Sequence, residues 1–172
     1  MPAGKRVDVG GIAQAVLDGI VAHFAAAQVT LPAYRTISPG ETRGVAWDCE
    51  DGQLIVTCPV IGWGSAPGRG GPRQTGNPLG STAVRHTVIG VQLVRCVTDP
   101  DGPAPAGEVT AAGLALLADM GLMSQALVDL CDRGGPLASH GEALPGDVAP
   151  VGPEGGKVAV EGMLTVTVGG LV

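Results

Sequence analysis

Three features of the sequence predict a single α+β domain, with two helices packed on a mixed or antiparallel sheet and long Gly/Pro-rich arms. Two stretches repeat apolar residues at three- and four-residue steps. Three others are rich in β-branched residues and bounded by Gly, Pro or Asp-Gly. The length of 172 residues, 45% of them hydrophobic, supplies one domain's worth of core-forming chain. The elements run in the order α-β-β-α-β across residues 1–172, with no internal repeat and no second core.

The first helix is expected from about residue 8 to 28. Val9, Ile12, Val16, Ile20 and Phe24 form its stripe, Ala13, Leu17 and Val21 widen it, and Asp8 is placed to cap it. Leu31-Pro32 ends it, because the residue before proline is pushed out of helical geometry. Gln53 to Ile61 is β-branched and bounded by Asp51-Gly52 and Gly62, so it reads as a strand. Pro59, which has no N–H to donate, puts an edge or a bulge there. Val84 to Thr98 is a long second strand with apolar residues on both faces, as expected of a strand that is central or covered on two sides.

Glu108 to Asp132 is the second helix. Leu116, Met120, Met123, Leu127 and Leu130 form its seam, Leu114, Leu117 and Val128 are read as broadening it, and Gly134 stops it. Lys157 to Val168 alternates most cleanly. Val158, Val160, Leu164, Val166 and Val168 lie on one face, with Lys157, Glu161, Thr165 and Thr167 on the other, which predicts a half-buried strand with one wet face. Leu116, Met120, Leu127, Val160 and Val166 are therefore expected to be buried together.

Two segments have no period, 62–83 and 134–156. They are read as extended loops or arms, since structureless connections longer than ~15 residues are usually functional or disordered. A hairpin between adjacent strands needs only a few residues, so the first segment is expected to contact something outside the core.

Composition excludes several classes of function. Gly (29) and Pro (14) make up a quarter of the chain, but the mean hydropathy of +0.31 is too high for a disordered polymer. Phe24, Tyr34, Trp47 and Trp63 are the only aromatics, too few to stack single-stranded nucleic acid. A net charge of −6 opposes a grip on duplex DNA by phosphate neutralisation. The apolar stretch after Lys5-Arg6 holds Asp8, Gln14 and Asp18, unlike a secretory signal, and no run reaches ~18 uncharged apolar residues, so no membrane association is expected. Cys49, Cys58, Cys96 and Cys131 include no C-x-x-C pair and are read as reduced, buried thiols, with a Cys49–Cys58 disulfide as the oxidised alternative.

Motifs for chemistry are sparse. Gly62-Trp63-Gly64 follows a strand, but the next glycine is out of place for a dinucleotide turn and no helix begins there. No phosphate-binding loop and no G-x-S-x-G elbow occurs. His140-Gly141-Glu142 lacks the cysteine half of a zinc deaminase site, so it reads as a loop. His23 and His86 read as structural histidines, and Asp48, Glu50 and Asp51 as a solvated turn. Arg85 and Arg95 share one face of a strand. With Lys157 and Glu161 nearby they suggest an ion-paired sheet surface or a subunit contact. No catalytic residue, cofactor or metal site is expected, and the chain is read as not an enzyme. The alternative of a small enzyme would need a pocket built by the 62–83 segment.

Trp47-Asp48-Cys49 leads into Gln53-Leu54-Ile55-Val56. Further on come Val91-Gln92-Leu93-Val94-Arg95-Cys96-Val97, the Pro103/Pro105 linker, an Ala/Leu-rich helix with Ala118-Asp119, and a closing Val/Thr strand. In these blocks and their order the C-terminal two-thirds resembles the tail terminator proteins of long-tailed bacteriophages infecting actinobacteria. The resemblance implies a structural virion protein. It would form a homohexameric ring at the head-proximal end of the tail tube, assembled in the host cytoplasm. The ring would stop tube polymerisation and join the tail to a head-completion or stopper protein, while duplex DNA passes through without specific binding. Its implied partners are other copies of itself, the tail tube protein and the neck. Trp63, Arg69, Arg73, Arg85 and Arg95 are the residues expected at subunit or partner contacts. Another neck protein, a head-tail adaptor or stopper, is the neighbouring alternative.

Overall fold

The computed structural model describes residues 8–40, 52–63, 85–96, 106–154 and 157–168. Their elements, in chain order, are α1 (Val9–Ala26), β1 (Tyr34–Pro39), β2 (Gln53–Trp63), β3 (Arg85–Cys96), α2 (Ala106–Cys131), β4 (Glu142–Glu154) and β5 (Lys157–Val168). The five strands form one mixed sheet in the order β1-β2-β3-β5-β4. β1 runs parallel to β2, and every other neighbouring pair is antiparallel. α1 lies over β1 and β2, α2 lies over β4 and β5, and the two helices touch each other. Both therefore cover the same face of the sheet.

α1 forms where its stripe predicts. Asp8 caps it, its carboxylate accepting from the Gly11 N–H at 2.9 Å. The helix stops before Pro32 is reached. Gln28 turns left-handed at φ 59°, its N–H donates to the Ala25 carbonyl, and the Val29 N–H donates to the Phe24 carbonyl. This is the paired hydrogen-bond closure of a left-handed C-terminal cap, here without the usual glycine. Gly19 faces the Leu130 side chain so closely that a β-carbon would collide with it, and the absence of that carbon brings the two helices together.

Register and alternation divide the sheet into two faces. Leu54, Val56, Ile89, Val91, Leu93, Val160, Leu164 and Val166 point toward the helices and join Ile12, Val16, Ile20, Phe24, Met123, Leu127 and Leu130 in one core. Each large aliphatic group buried there contributes about 1.5–3 kcal/mol relative to exposure. Leu127, Val160 and Val166 are fully buried as expected, while Leu116 and Met120 are half-buried at the margin of the same core.

Several expectations need correction. β1 and β4 were not foreseen, so the order is α-β-β-β-α-β-β. β4 occupies most of the segment expected to be an arm, 134–156. It holds Pro145, Pro150 and Pro153, which an edge strand tolerates because its outer N–H groups have no ladder partner. Pro59, by contrast, falls where expected, at a bulge: the β2–β3 register shifts between Thr57 and Val60, and the pairing of β2 with β1 ends one residue before it, at Cys58. Leu114, Leu117 and Val128 do not broaden the core seam; they are exposed on the opposite side of α2. The wet face of β5 is drier than expected, with Ala159 and Thr165 buried on it. Beyond Trp63, the 62–83 segment lies outside the described residues.

Candidate functional site

β3 is central, paired with β5 along its whole length and with β2 from Arg85 to Val94, and buried on both faces, as its sequence predicts. Its last residues carry the main polar connection of the described chain. Arg95 lies on the helix side, opposite Val158 of β5. Its Nε donates to Asp119 Oδ2 at 2.9 Å and its Nη2 to Asp119 Oδ1 at 3.1 Å. Nη1 donates to the Thr30 carbonyl at 2.8 Å. Asp119 is buried in α2, so one guanidinium ties together the sheet, the second helix and the segment leaving the first. Two parallel N–H···O bonds match the planar fork of arginine and fix the angle as well as the distance.

This geometry changes the reading of the arginines. Arg85 and Arg95 share a face, but it is the helix side, whereas Lys157 and Glu161 lie on the other face. The expected ion-paired sheet surface is therefore not what these residues form. Arg95 is engaged within its own subunit. Arg85 opens β3 half-buried, opposite Trp63 at the end of β2. Arg69 and Arg73 lie outside the described residues, as do Trp47, Asp48, Cys49, Glu50 and Asp51.

The sheet face away from the helices carries a second polar group. Gln92 Nε2 donates to Glu161 Oε1 at 2.7 Å across the β3–β5 ladder. On the same face Gln53 Nε2, His86 Nδ1 and Gln92 Oε1 are buried without a hydrogen-bond partner. Buried polar atoms of this kind are costly, and three together make this face unlike an ordinary apolar sheet surface. The His86 ring sits where a side chain on Gly62 would be, 2.7 Å from the position of its β-carbon.

Other groups suited to chemistry are dispersed. His23 Nδ1 lies 3.2 Å from Asp129 Oδ2 and links α1 to α2 near the surface. His140 and Glu142 sit on either side of a turn at Gly141 with φ 154°. An open cleft of about 400 Å³ lies at the end of α2, between Cys131, Arg133 and the start of β4. Its cysteine is a poor nucleophile: burial first, and then the negative charge of Asp132, push the Cys131 thiol up to about 11. Burial also pushes the Cys58 thiol up. Both are free thiols, whereas Cys96 is disulfide-bonded, which corrects the expectation of reduced cysteines throughout and of a Cys49–Cys58 pair. Among the described residues, no three His, Cys, Asp or Glu side chains come together to hold a metal ion.

Sequence reasoning missed the Arg95–Asp119 tie and the Gln92–Glu161 bond, because both join residues far apart in the chain. The available signal for the first was Asp119 itself, a lone carboxylate within the apolar seam of a helix. Both helices are also long and apolar enough to cross a membrane by length and composition alone; in this fold each lays its inner face on the sheet. No protein-family model matches the chain, and no curated protein matches it in sequence.

Proposed function

We propose that this protein is a structural subunit of a virion, a tail terminator that forms a ring at the head-proximal end of a phage tail tube. The observation that carries the reading is where the resembling blocks lie in the fold. Gln53–Val56 and Val91–Arg95 are adjacent strands paired in register, and Ala118-Asp119 is bound to the second of them through Arg95. Blocks far apart in the sequence thus form one packed unit, as expected where a shared pattern reflects a shared framework.

The surface is consistent with a subunit that completes its burial in an assembly. Tyr34, Ile61, Val109, Leu114, Leu117 and Met163 are large apolar side chains left more than half exposed. The net charge of −6 suits a channel through which DNA slides, because acidic walls repel phosphate. The 62–83 segment is proposed as an arm to a neighbouring subunit or to the neck.

Electron microscopy of the purified protein tests the reading. Rings with a central channel that bind the end of a tail tube are expected. Rings that bind the portal side instead would assign the protein to the stoppers or adaptors, and uniform monomers at high concentration would overturn the ring.

A further inference from the structure

We infer that α2 is also a docking surface for a second copy of itself, paired antiparallel about a two-fold axis beside Asp119. Thr110, Leu114, Leu117, Gly121, Ser124 and Val128 recur at alternating four- and three-residue steps, the spacing of a coiled-coil seam. All six are exposed, none is charged, and they lie on the side of the helix opposite its buried residues. Leu114 and Leu117 are 63% and 62% exposed. A water-facing helix of a chain with charge −6 ordinarily shows its charges there.

The order of sizes along the seam selects both the occupant and its direction. The two leucines lie on one side of Asp119, and Gly121 and Ser124 on the other. An antiparallel copy sets Leu117 against Gly121, Leu114 against Ser124 and Thr110 against Val128, so every large side chain meets a small one. Nothing lies within 4 Å of where a β-carbon on Gly121 would stand, which leaves an open seat for the leucine. A parallel copy would set leucine on leucine and leave a gap at the glycines. Charge points the same way: exposed Glu108 near the start of α2 and exposed Arg133 just past its end are brought together twice by the antiparallel arrangement. A two-fold contact is self-complementary and does not propagate around a ring. It joins two free subunits or two rings, so this inference goes beyond the ring reading.

The test is the mass of the full chain in solution, by sedimentation and light scattering, for wild type, Leu117→Asp, Gly121→Leu, Glu108→Arg and the double variant Glu108→Arg/Arg133→Glu. Circular dichroism checks that each is folded; all four positions are exposed. Wild type should show pairing of the 17.0 kDa chain or of its rings. Leu117→Asp and Gly121→Leu should each weaken pairing at least tenfold, and the charge reversal should weaken it and the double reversal restore it. Gly121→Leu is decisive, because an indiscriminately sticky apolar face would associate more strongly with the added leucine. Unchanged or stronger pairing in that variant, or no pairing in wild type, overturns the inference. Imaging separates this outcome from the ring: rings that persist in Leu117→Asp leave the ring reading intact, and paired wild-type subunits without rings refute the ring alone.

Discussion

Arg95 and Asp119 lie 24 residues apart in sequence, yet two hydrogen bonds, of 2.9 and 3.1 Å, join them between the central strand and the second helix. The carboxylate is almost entirely buried and the guanidinium about a quarter exposed, at 6% and 27%. Such a pair adds little net stability over an apolar pair of the same shape, because both charges lose water. Breaking it is costly, because the remaining charge stays buried. Asp119→Ala should therefore destabilise the fold by about 3–5 kcal/mol. Replacing both residues, as in Arg95→Met with Asp119→Leu, should recover most of that loss. Urea denaturation of the single and double variants checks both, and a single-variant loss below about 1 kcal/mol would show that the pair is solvated.

The two sides of α2 give a second contrast. Leu127 is fully buried, against Gly162 of β5, whereas Leu117 is 62% exposed. Leu127→Ala should cost about 2–5 kcal/mol through lost transfer energy and a cavity. Leu117→Ala in the unpaired subunit should change stability by less than about 0.5 kcal/mol. Thermal or denaturant midpoints of the two variants, measured side by side at low concentration, provide the comparison.

Gln28 adopts a left-handed backbone at φ 59°, where an L-residue with a β-carbon is strained by about 1–2 kcal/mol. Gln28→Gly relieves that strain while making the unfolded chain more flexible, so a net gain of about 1 kcal/mol or less is expected. The opposite holds at Gly52, where φ is 87° and a β-carbon would run into the Val94 carbonyl oxygen. Gly52→Ala should lower the unfolding midpoint, and Gln28→Gly should raise it.

The raised Cys131 pKa sets a pH dependence. With about 11 in the folded chain against 9.0 for an unperturbed thiol, the folded state holds its proton more tightly than the unfolded state. The contribution to stability is therefore fully present below pH 9.0 and is lost as the pH rises toward about 11. Alkylation of Cys131 at pH 8 should be slower than that of an unfolded control, and a rate equal to the control would mean the thiol is solvated.

How legible this fold was depended on whether an element carried its own period. α1 and β5 could be placed to within two residues, because their stripes run from Val9 to Phe24 and from Val158 to Val168, the second interrupted only at Gly162. β1 has only Ile37 as an aliphatic residue, and its identity as a strand comes from pairing with β2. β4 was hidden by prolines, which read as loop in isolation but are permitted at an edge. The sidedness of α2 was harder still: with apolar residues around most of its circumference, periodicity could not tell Leu116, facing the sheet, from Leu117, facing water. Of the candidate contact residues, Arg95 was identifiable as a strand arginine, but its partner lay in another element.

Electrostatics supplies a prediction about nucleic acid. Weak non-specific binders have Kd values of about 10⁻⁴–10⁻⁶ M near physiological salt, with steep salt dependence. In the proposed ring, a charge of −6 repeats with every copy, so the protein should show no such affinity for duplex DNA in a fluorescence titration. Micromolar binding that weakens sharply with salt would point instead to a nucleic-acid-handling role.

The proposed function rests most directly on what the protein does to a growing tube. Purified tail tube protein from the same virion, polymerising in the presence of this chain, should give tubes that stop growing and carry one ring at one end, with mean length falling as the ratio of this protein to tube protein rises. Tubes of unchanged length, with no ring at either end, would contradict the assignment.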